Sequence, residues 1–354
     1  MRASLLIFAL LLPAPSFSQV ARQYPWDNRP AMCMNAAEGS QRCAIPKVWQ
    51  SISYNHHLLL SLLNSRDMEL IGRAESELAY SQERLDDGEY RAALWQGALL
   101  QHFEHDANPE KLAGLWASEL GPDGFACYAK AALAFGEASR ARGTGWASTV
   151  MPEAMEIYET RLADANKFLD ECPEKVKQTL PWHSMKVSIA YMLPSLHDQR
   201  ESQLKKAIAA WPDAKQIYLP AMNYSQPVWG GSFAELERLA RMAVDASQET
   251  KRTALYAELY GAILAMSATD SISDSDADWE AMKRSFRDVE ALGAYPSYEP
   301  GHFALLACAK RDRAEAKRLM EWAEQTARKE YGPNYGRRDM TDPCVKFAFS
   351  TESE

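Results

Sequence analysis

The chain has 354 residues, with 39 Lys and Arg against 48 Asp and Glu, which gives a formal net charge of −9 at pH 7. Such an acidic balance disfavours nucleic acid and anionic membrane surfaces as partners, because both attract a net basic face. The length permits one large domain, two domains or a repeat array, and composition does not decide between them.

The N-terminus has the pattern of a secretory signal peptide over residues 1–18. One positive charge at Arg2 precedes an apolar run over residues 5–12, and small residues stand at Ser16 and Ser18. The apolar run is shorter than the roughly 20 residues that a membrane-spanning helix needs. We therefore expect cleavage near Ser18 and a mature protein without a membrane span that is periplasmic or secreted.

Six cysteines follow this signal, and an even number in an exported chain permits three disulfides. Cys33 and Cys43 bracket a polar stretch of the segment 19–46, which lacks helical periodicity and is predicted to be irregular. We predict a local disulfide between these two, because an exported protein meets oxidising conditions and the two cysteines are close in sequence. The other four lie in or beside helical patterns, where disulfide pairing and burial as thiols both remain open. They are Cys127, Cys172, Cys308 and Cys344.

From residue 47 onward the apolar residues recur every three or four positions, as in amphipathic helices. No alternating run of β-branched residues competes, so an all-α domain is predicted over 47–331, followed by a C-terminal tail over 332–354. The predicted helices cover residues 47–64, 67–85, 90–104, 109–120, 123–142, 152–170, 182–193, 198–210, 232–246, 249–268, 277–291, 301–310 and 313–330.

The predicted helices come in pairs with similar turns between them. Residues 78–100 consist of a helix, an acidic glycine turn, an aromatic residue and a second helix. Residues 302–324 repeat this plan, with alanines where the two helices would approach closely. Stacked antiparallel pairs of this kind form an α-α superhelix, so we predict a tetratricopeptide-like solenoid. No strict period and no full set of signature residues is present, so the sequence does not identify the repeat type.

The segment PVWGGSFAE, residues 227–235, precedes one of these predicted helices. Ser232 and Glu235 have the spacing of a capping box. In such a box the serine hydroxyl accepts from the amide of residue 235, and the glutamate accepts from the amide of residue 232. The pair therefore predicts a helix that begins next to Ser232.

The residues before this cap predict a tight turn. Gly230 and Gly231 permit unusual backbone angles, and we expect Trp229 to be a buried anchor between two packed helices. The alternative is an anion held by the free amides at the helix start. A phosphate-loop pattern is absent and Glu235 would repel an anion, so a structural role for the motif is favoured.

Three segments resemble a known family. They are Arg142-Gly143, the helix Met155-Glu-Ile-Tyr-Glu-Thr-Arg-Leu, and above all Pro227-Val-Trp-Gly-Gly-Ser232. They are similar to a bacterial domain of unknown function that occurs in exported or envelope proteins with tetratricopeptide-like helices. The resemblance covers residues 120–265. It implies bacterial export and a helical-repeat fold, and it supplies no catalytic residue.

One acidic stretch has the alternate spacing of a calcium-binding loop. Its aspartates are Asp274, Asp276 and Asp278. Trp279 and Ser285 occupy the positions where such a loop needs glycine and a bidentate glutamate. A polar loop whose carboxylates favour the start of the next helix is therefore the better interpretation.

Two further patterns resemble parts of a metal site and of a catalytic motif, but neither is complete. His102 and His105 lie one helical turn apart and could share a metal ion, but no third ligand is evident. Ser202 and Lys205 match the S-x-x-K pattern of penicillin-recognising enzymes, whose companion elements are missing. We predict no metal site, no cofactor and no catalytic residue.

These observations favour a protein- or peptide-binding scaffold of the bacterial envelope, whose concave face holds an unidentified partner. Aromatic residues in turns are candidates for the binding surface, in particular Tyr295 and Tyr298 of GAYPSYEP. The alternative is an envelope hydrolase whose site is assembled from distant His and carboxylate residues, for example Glu104 with His102 and His105.

Overall fold

A computed structural model describes residues 52–85, 88–121, 124–143, 145, 149–266, 275–293, 299–331 and 342–350. All regular secondary structure in these residues is helical, which confirms the predicted all-α class. The predicted signal peptide, the irregular segment and the Cys33–Cys43 pair lie outside the described residues, as do Tyr295 and Tyr298. Among the described helices, none combines the length and the apolarity that a membrane crossing needs.

The described helices belong to one compact unit, Pro46–Glu354. Two π-helical turns, Glu75–Ala79 and Trp116–Leu120, continue the helices Met68–Ala74 and Pro109–Leu115. Short 3-10 turns cover Pro194–Gln199 and Pro227–Trp229. The helices are α1 (Ile52–Ser65), α2 (Met68–Ala74), α3 (Arg91–His105), α4 (Pro109–Leu115), α5 (Ala126–Arg142), α6 (Pro152–Asp170), α7 (Glu174–Lys177), α8 (Leu180–Met192), α9 (Arg200–Ala210), α10 (Lys215–Tyr224), α11 (Phe233–Lys251), α12 (Ala254–Met266), α13 (Trp279–Leu292), α14 (Glu299–Ala309), α15 (Arg313–Tyr331) and α16 (Pro343–Phe349).

Side-chain caps set several of the helix starts. The side chains of Asp67, Thr179, Ser232, Asp278 and Asp342 each accept a hydrogen bond from a backbone amide in the first turn of the following helix. These bonds satisfy donors that a helix start otherwise leaves unpaired. Local sequence therefore determines where α2, α8, α11, α13 and α16 begin.

The helices pack in a regular succession in the C-terminal half of the chain. Helices α8, α10, α12 and α14 contact one another in chain order, and each also packs against the helix that follows it. Helix α12 buries apolar residues on all of its sides, including Tyr256, Leu259 and Tyr260. A helix that is apolar all round is buried, and α12 accordingly lies between α10, α11, α13 and α14.

Helix α10 falls in a region where the periodicity predicts no helix, because Pro220 lies in its interior. A proline inside a helix cannot donate to the carbonyl four residues before it, here that of Gln216. The hydroxyl of Ser184 on α8 donates to this carbonyl instead, at 3.0 Å. A neighbouring helix thus supplies the hydrogen bond that the proline removes.

The segment predicted as a C-terminal tail contains α16. Asp342 caps this helix by accepting from the amides of Cys344 and Val345, and Pro343 occupies its first turn. The disulfide Cys308–Cys344 joins α16 to α14. The cap and the disulfide together explain why seven residues near the end of the chain form a packed helix.

The four cysteines that the sequence leaves open are paired in two disulfides. Cys127–Cys172 joins α5 to the end of α6, with the Cα atoms 5.3 Å apart, and Cys308–Cys344 has a Cα separation of 5.7 Å. Both separations lie in the usual range. Structural disulfides persist in oxidising compartments, so the pairing indicates an extracytoplasmic protein.

Candidate functional site

The W-G-G-S segment forms a tight turn between α10 and α11. A 3-10 turn over Pro227–Trp229 is followed by Gly230, whose φ of 85° lies in the left-handed region. The amide of Gly231 donates to the carbonyl of Gln226 at 3.1 Å and closes the turn. Ser232 then caps α11, accepting from the amide of Glu235 at 3.1 Å.

The two glycines are required for different reasons. A Cβ atom on Gly231 would lie 2.0 Å from the carbonyl oxygen of Ser225, so this position has no room for any side chain. A Cβ atom on Gly230 would point into open space, but its backbone conformation favours glycine. The turn therefore depends on steric room at Gly231 and on conformational freedom at Gly230.

Glu235 departs from its predicted role. Its carboxylate accepts two hydrogen bonds from the guanidinium of Arg238, at 2.7 and 2.8 Å, instead of completing the capping box. Ser232 therefore supplies the cap alone, and Glu235 contributes a negative charge near the start of α11, where the helix dipole favours it.

Trp229 is not the buried anchor that the sequence predicts. Its side chain is 38 % exposed, and its ring lies 5.9 Å from that of Tyr224. The guanidinium of Arg142, at the end of α5, lies over the indole with 4.9 Å between the carbon and the ring centroid. This is within the range of a cation–π interaction, so the exposed indole is held in a defined orientation.

Arg142 is itself held in place by the turn that follows α5. Its Nη1 atom donates to the carbonyl of Gly143 at 3.0 Å, and α5 ends there because Gly143 has a φ of 65°. The hydroxyls of Tyr158 and Tyr224 hydrogen-bond to each other nearby. Burial raises the pKa of Tyr158, while the positive charge of Arg142 opposes that rise. The tyrosines are therefore neutral hydrogen-bonding groups beside a fixed cation.

Exposed apolar side chains occur in the Trp229 turn and on α6, the helix that carries Tyr158. Six large hydrophobic side chains are exposed in the described residues, and four of them lie in the first half of α6, at its N-cap, or in the Trp229 turn. These four are Met151, Ile157, Val228 and Trp229. We call the group Arg142, Tyr158, Tyr224, Val228 and Trp229 the Trp229 surface.

Comparison with protein-family models, with curated proteins and with solved structures gives no match to this chain. The three segments that carry the resemblance to an exported bacterial family nevertheless meet at one place. Arg142 follows α5, Tyr158 belongs to the α6 segment, and Trp229 belongs to the W-G-G-S turn. The resemblance remains a prediction, and the Trp229 surface rests on its own geometry.

The histidine pair of the hydrolase alternative does not converge on a common point. The His102 side chain is buried, and its Nδ1 atom lies 2.9 Å from the side-chain oxygen of Asn64. Burial lowers the pKa of His102, whereas His105 is exposed to solvent. Within the described residues, no group of three or more His, Cys, Asp or Glu side chains is arranged to hold a metal ion.

The aspartates of the acidic stretch have separate environments. Asp278 caps α13 and also accepts from Arg241 at 3.0 Å, and these bonds lower its pKa. Asp276 is exposed, and Asp274 lies outside the described residues. The first turn of α13 therefore uses Asp278 as a helix cap, in agreement with the interpretation favoured by the sequence.

A buried ionic network, which sequence reasoning missed, connects the turn before α3 with α10, α11 and α12. Its ion pairs are Arg84–Asp213 (2.7 Å), Lys215–Glu89 (2.5 Å) and Lys251–Glu258 (2.8 Å). Burial alone would raise the pKa of Glu89, but Lys215 and Lys251 lower it below its usual value. Since three cations pair with three anions, we interpret the network as a structural contact between these elements.

Proposed function

We propose that this chain is an exported helical-repeat protein of the bacterial envelope that binds a protein or peptide through the Trp229 surface. One observation carries the proposal: an exposed indole is fixed by Arg142 and Tyr224 instead of being packed into the core. Trp, Tyr and Arg are the residues that most often dominate binding energy at interfaces. Exposed apolar groups at one place mark interaction sites.

The succession of helix contacts supports a tetratricopeptide-like superhelix as the scaffold. In such a solenoid the first helix of each pair contacts its own partner and the first helix of the next pair. Helices α8, α10, α12 and α14 have these contacts. The Trp229 turn connects α10 to α11, so Val228 and Trp229 lie on the turn within one helix pair, and such surface turns commonly carry binding residues.

The charge beside the Trp229 surface suggests which partners would bind. Glu153, Glu156 and Glu159 are exposed on α6, and none of them forms an ion pair within the described residues. A peptide with an apolar anchor and flanking Lys or Arg residues would complement them. The hydrolase alternative lacks a comparable observation in its favour, because His102 is buried against Asn64.

A selection from a random peptide library on the immobilised mature protein tests this proposal. Peptides that bind the wild-type protein should bind Trp229→Ala at least tenfold more weakly, because removal of a central aromatic residue typically costs more than about 1.4 kcal/mol. Leu292→Ala is a matched control, since Leu292 is similarly exposed on α13. Both variants should keep the wild-type melting temperature to within a few degrees.

Two results would contradict the proposal. The first is a selection that enriches no peptide over the library background. The second is a set of bound peptides whose affinity is unchanged in both Trp229→Ala and Arg142→Gln, which would show that the bound surface lies elsewhere.

A further inference from the structure

A cleft opens beside the second disulfide, at the turn between α14 and α15. Its volume is about 670 Å³, within the range of roughly 300–1,000 Å³ that small-molecule sites occupy. The Cys308–Cys344 disulfide and the ring of Phe347 form part of an apolar wall. Arg311 and Arg313 line the same cleft and bring two positive charges to it.

No acidic side chain is among the described residues that line this cleft. Two described carboxylates close in sequence to the cleft are engaged elsewhere. Asp312 accepts from the indole nitrogen of Trp279 at 2.9 Å, and Asp342 accepts from backbone amides at the start of α16. The guanidinium of Arg313 lies over the ring of Phe347, 5.3 Å from its centroid. The cleft therefore combines cations with an aromatic wall.

Arg311 differs from the two arginines that share its backbone conformation. Arg66, Arg252 and Arg311 all have a positive φ, between 51° and 57°, in turns that connect helices. Arg66 pairs with Asp106 at 3.4 Å, and Arg252 pairs with Asp288 at 3.6 Å. Within the described residues, Arg311 has no carboxylate partner of this kind.

The backbone of Arg311 has a conformation that is costly for a residue with a side chain. A residue with a side chain is disfavoured at such angles, where glycine is the usual choice. In the other two turns an ion pair uses the arginine side chain. At Arg311 the side chain lines a cleft, and residues held in strained conformations are common at sites that clamp ligands.

We propose that this C-terminal cleft binds an organic anion, a carboxylate attached to an aromatic or aliphatic body. Arg311 would bind the carboxylate, because a guanidinium matches the geometry of its two oxygens, and Arg313 adds positive charge to the cleft. The body would pack against Phe347 and the disulfide. A free small acid and the C-terminus of a peptide that ends in an apolar residue both have this chemistry. The site is independent of the Trp229 surface.

Ligand-observed NMR titration of the full mature protein tests this site with two probes. One is 4-phenylbutyrate and the other is the tripeptide Gly-Gly-Phe with a free C-terminal carboxylate; their neutral amides serve as ligand controls. We expect saturable binding of at least one carboxylate, with at least tenfold weaker binding of its amide. Binding of the tripeptide alone would assign the site to peptide C-termini, and binding of phenylbutyrate alone would assign it to small acids.

The variants Arg311→Gln and Arg252→Gln distinguish the loss of a cleft residue from the general loss of one positive charge. Both remove an arginine at a positive φ, but only Arg311 lines the cleft. Arg311→Gln should weaken carboxylate binding at least tenfold, and Arg252→Gln should leave it unchanged. Peptide mapping without reductant should show the Cys308–Cys344 link in both. No saturable binding of either carboxylate, or equal affinity in Arg311→Gln and the wild type, would overturn the proposal.

Discussion

Single residues in the Trp229 turn are constrained in ways that substitution can separate. Gly231→Ala places a Cβ atom against the backbone of Ser225, which no side-chain rotation can relieve. We expect it to lower the free energy of unfolding by about 3 kcal/mol, as overpacking does at its upper range. Gly230→Ala meets open space and only the cost of a positive φ, about 1–2 kcal/mol. Urea denaturation of both variants measures the difference.

Gly230→Asn is the control for this pair, because asparagine tolerates the left-handed region better than alanine. It should be more stable than Gly230→Ala, whereas Gly231→Asn should unfold as readily as Gly231→Ala or more so. If Gly231→Ala proved no worse than Gly230→Ala, the close approach to the carbonyl of Ser225 would be wrong.

The sequence predicts only some of the residue contacts in the candidate site. Local spacing predicts the Ser232 cap, because a cap and the amide it satisfies are three residues apart. The orientation of the exposed Trp229 ring depends on Arg142, which is distant in sequence. No local pattern reports such a contact, and an aromatic residue beside two glycines is compatible with either a buried or an exposed ring.

Helices were predictable where the spacing of apolar residues every three or four positions was unbroken. The helices predicted over 90–104, 152–170 and 313–330 agree with α3, α6 and α15 to within one residue at each end. Helix α10 was missed, because proline usually breaks a helix. Its stability depends on a hydrogen bond from α8, which is a tertiary interaction that the sequence around Pro220 does not encode.

This interaction predicts coupling between Ser184 and Pro220. The Ser184 hydroxyl donates to the carbonyl of Gln216 and accepts from the side chain of Gln96. Ser184→Ala removes both hydrogen bonds, one of them to the buried Gln96, and should cost about 2 kcal/mol. In a Pro220→Ala background the new amide can donate to Gln216, so the cost of Ser184→Ala should fall by about 1 kcal/mol.

A double-mutant cycle from chemical denaturation measures this coupling. Residues that share a hydrogen-bonding partner should give a non-additive result, whereas independent sites add to within roughly 0.5 kcal/mol. Strict additivity of Ser184→Ala and Pro220→Ala would mean that the serine does not replace the missing helical bond.

Over the whole molecule, buried titratable groups make stability depend on pH. Burial lowers the pKa of His183 to about 4, and the same cause lowers the pKa values of His102 and His302. Between about pH 6.5 and 4 the unfolded chain takes up protons that the folded chain excludes. The free energy of unfolding should therefore fall as pH falls through this window.

His183→Gln tests the largest of these shifts. Glutamine cannot be protonated, so the variant should lose up to one proton's worth of the slope of unfolding free energy against pH between pH 6.5 and 4. The wild-type protein, measured in the same buffers, is the reference for this slope. An unchanged slope in His183→Gln would show that burial does not lower the pKa of this ring.

The order of the two disulfides has a consequence for how the protein is made. Each bond joins a cysteine to the next one along the chain, Cys127 to Cys172 and then Cys308 to Cys344. A polypeptide that crosses a membrane N-terminus first presents these thiols to the oxidising side one after another. An oxidant that joins each thiol to the next to emerge would produce the native pairs directly, and the predicted Cys33–Cys43 bond follows the same rule. Maturation should therefore proceed in cells that lack a disulfide isomerase.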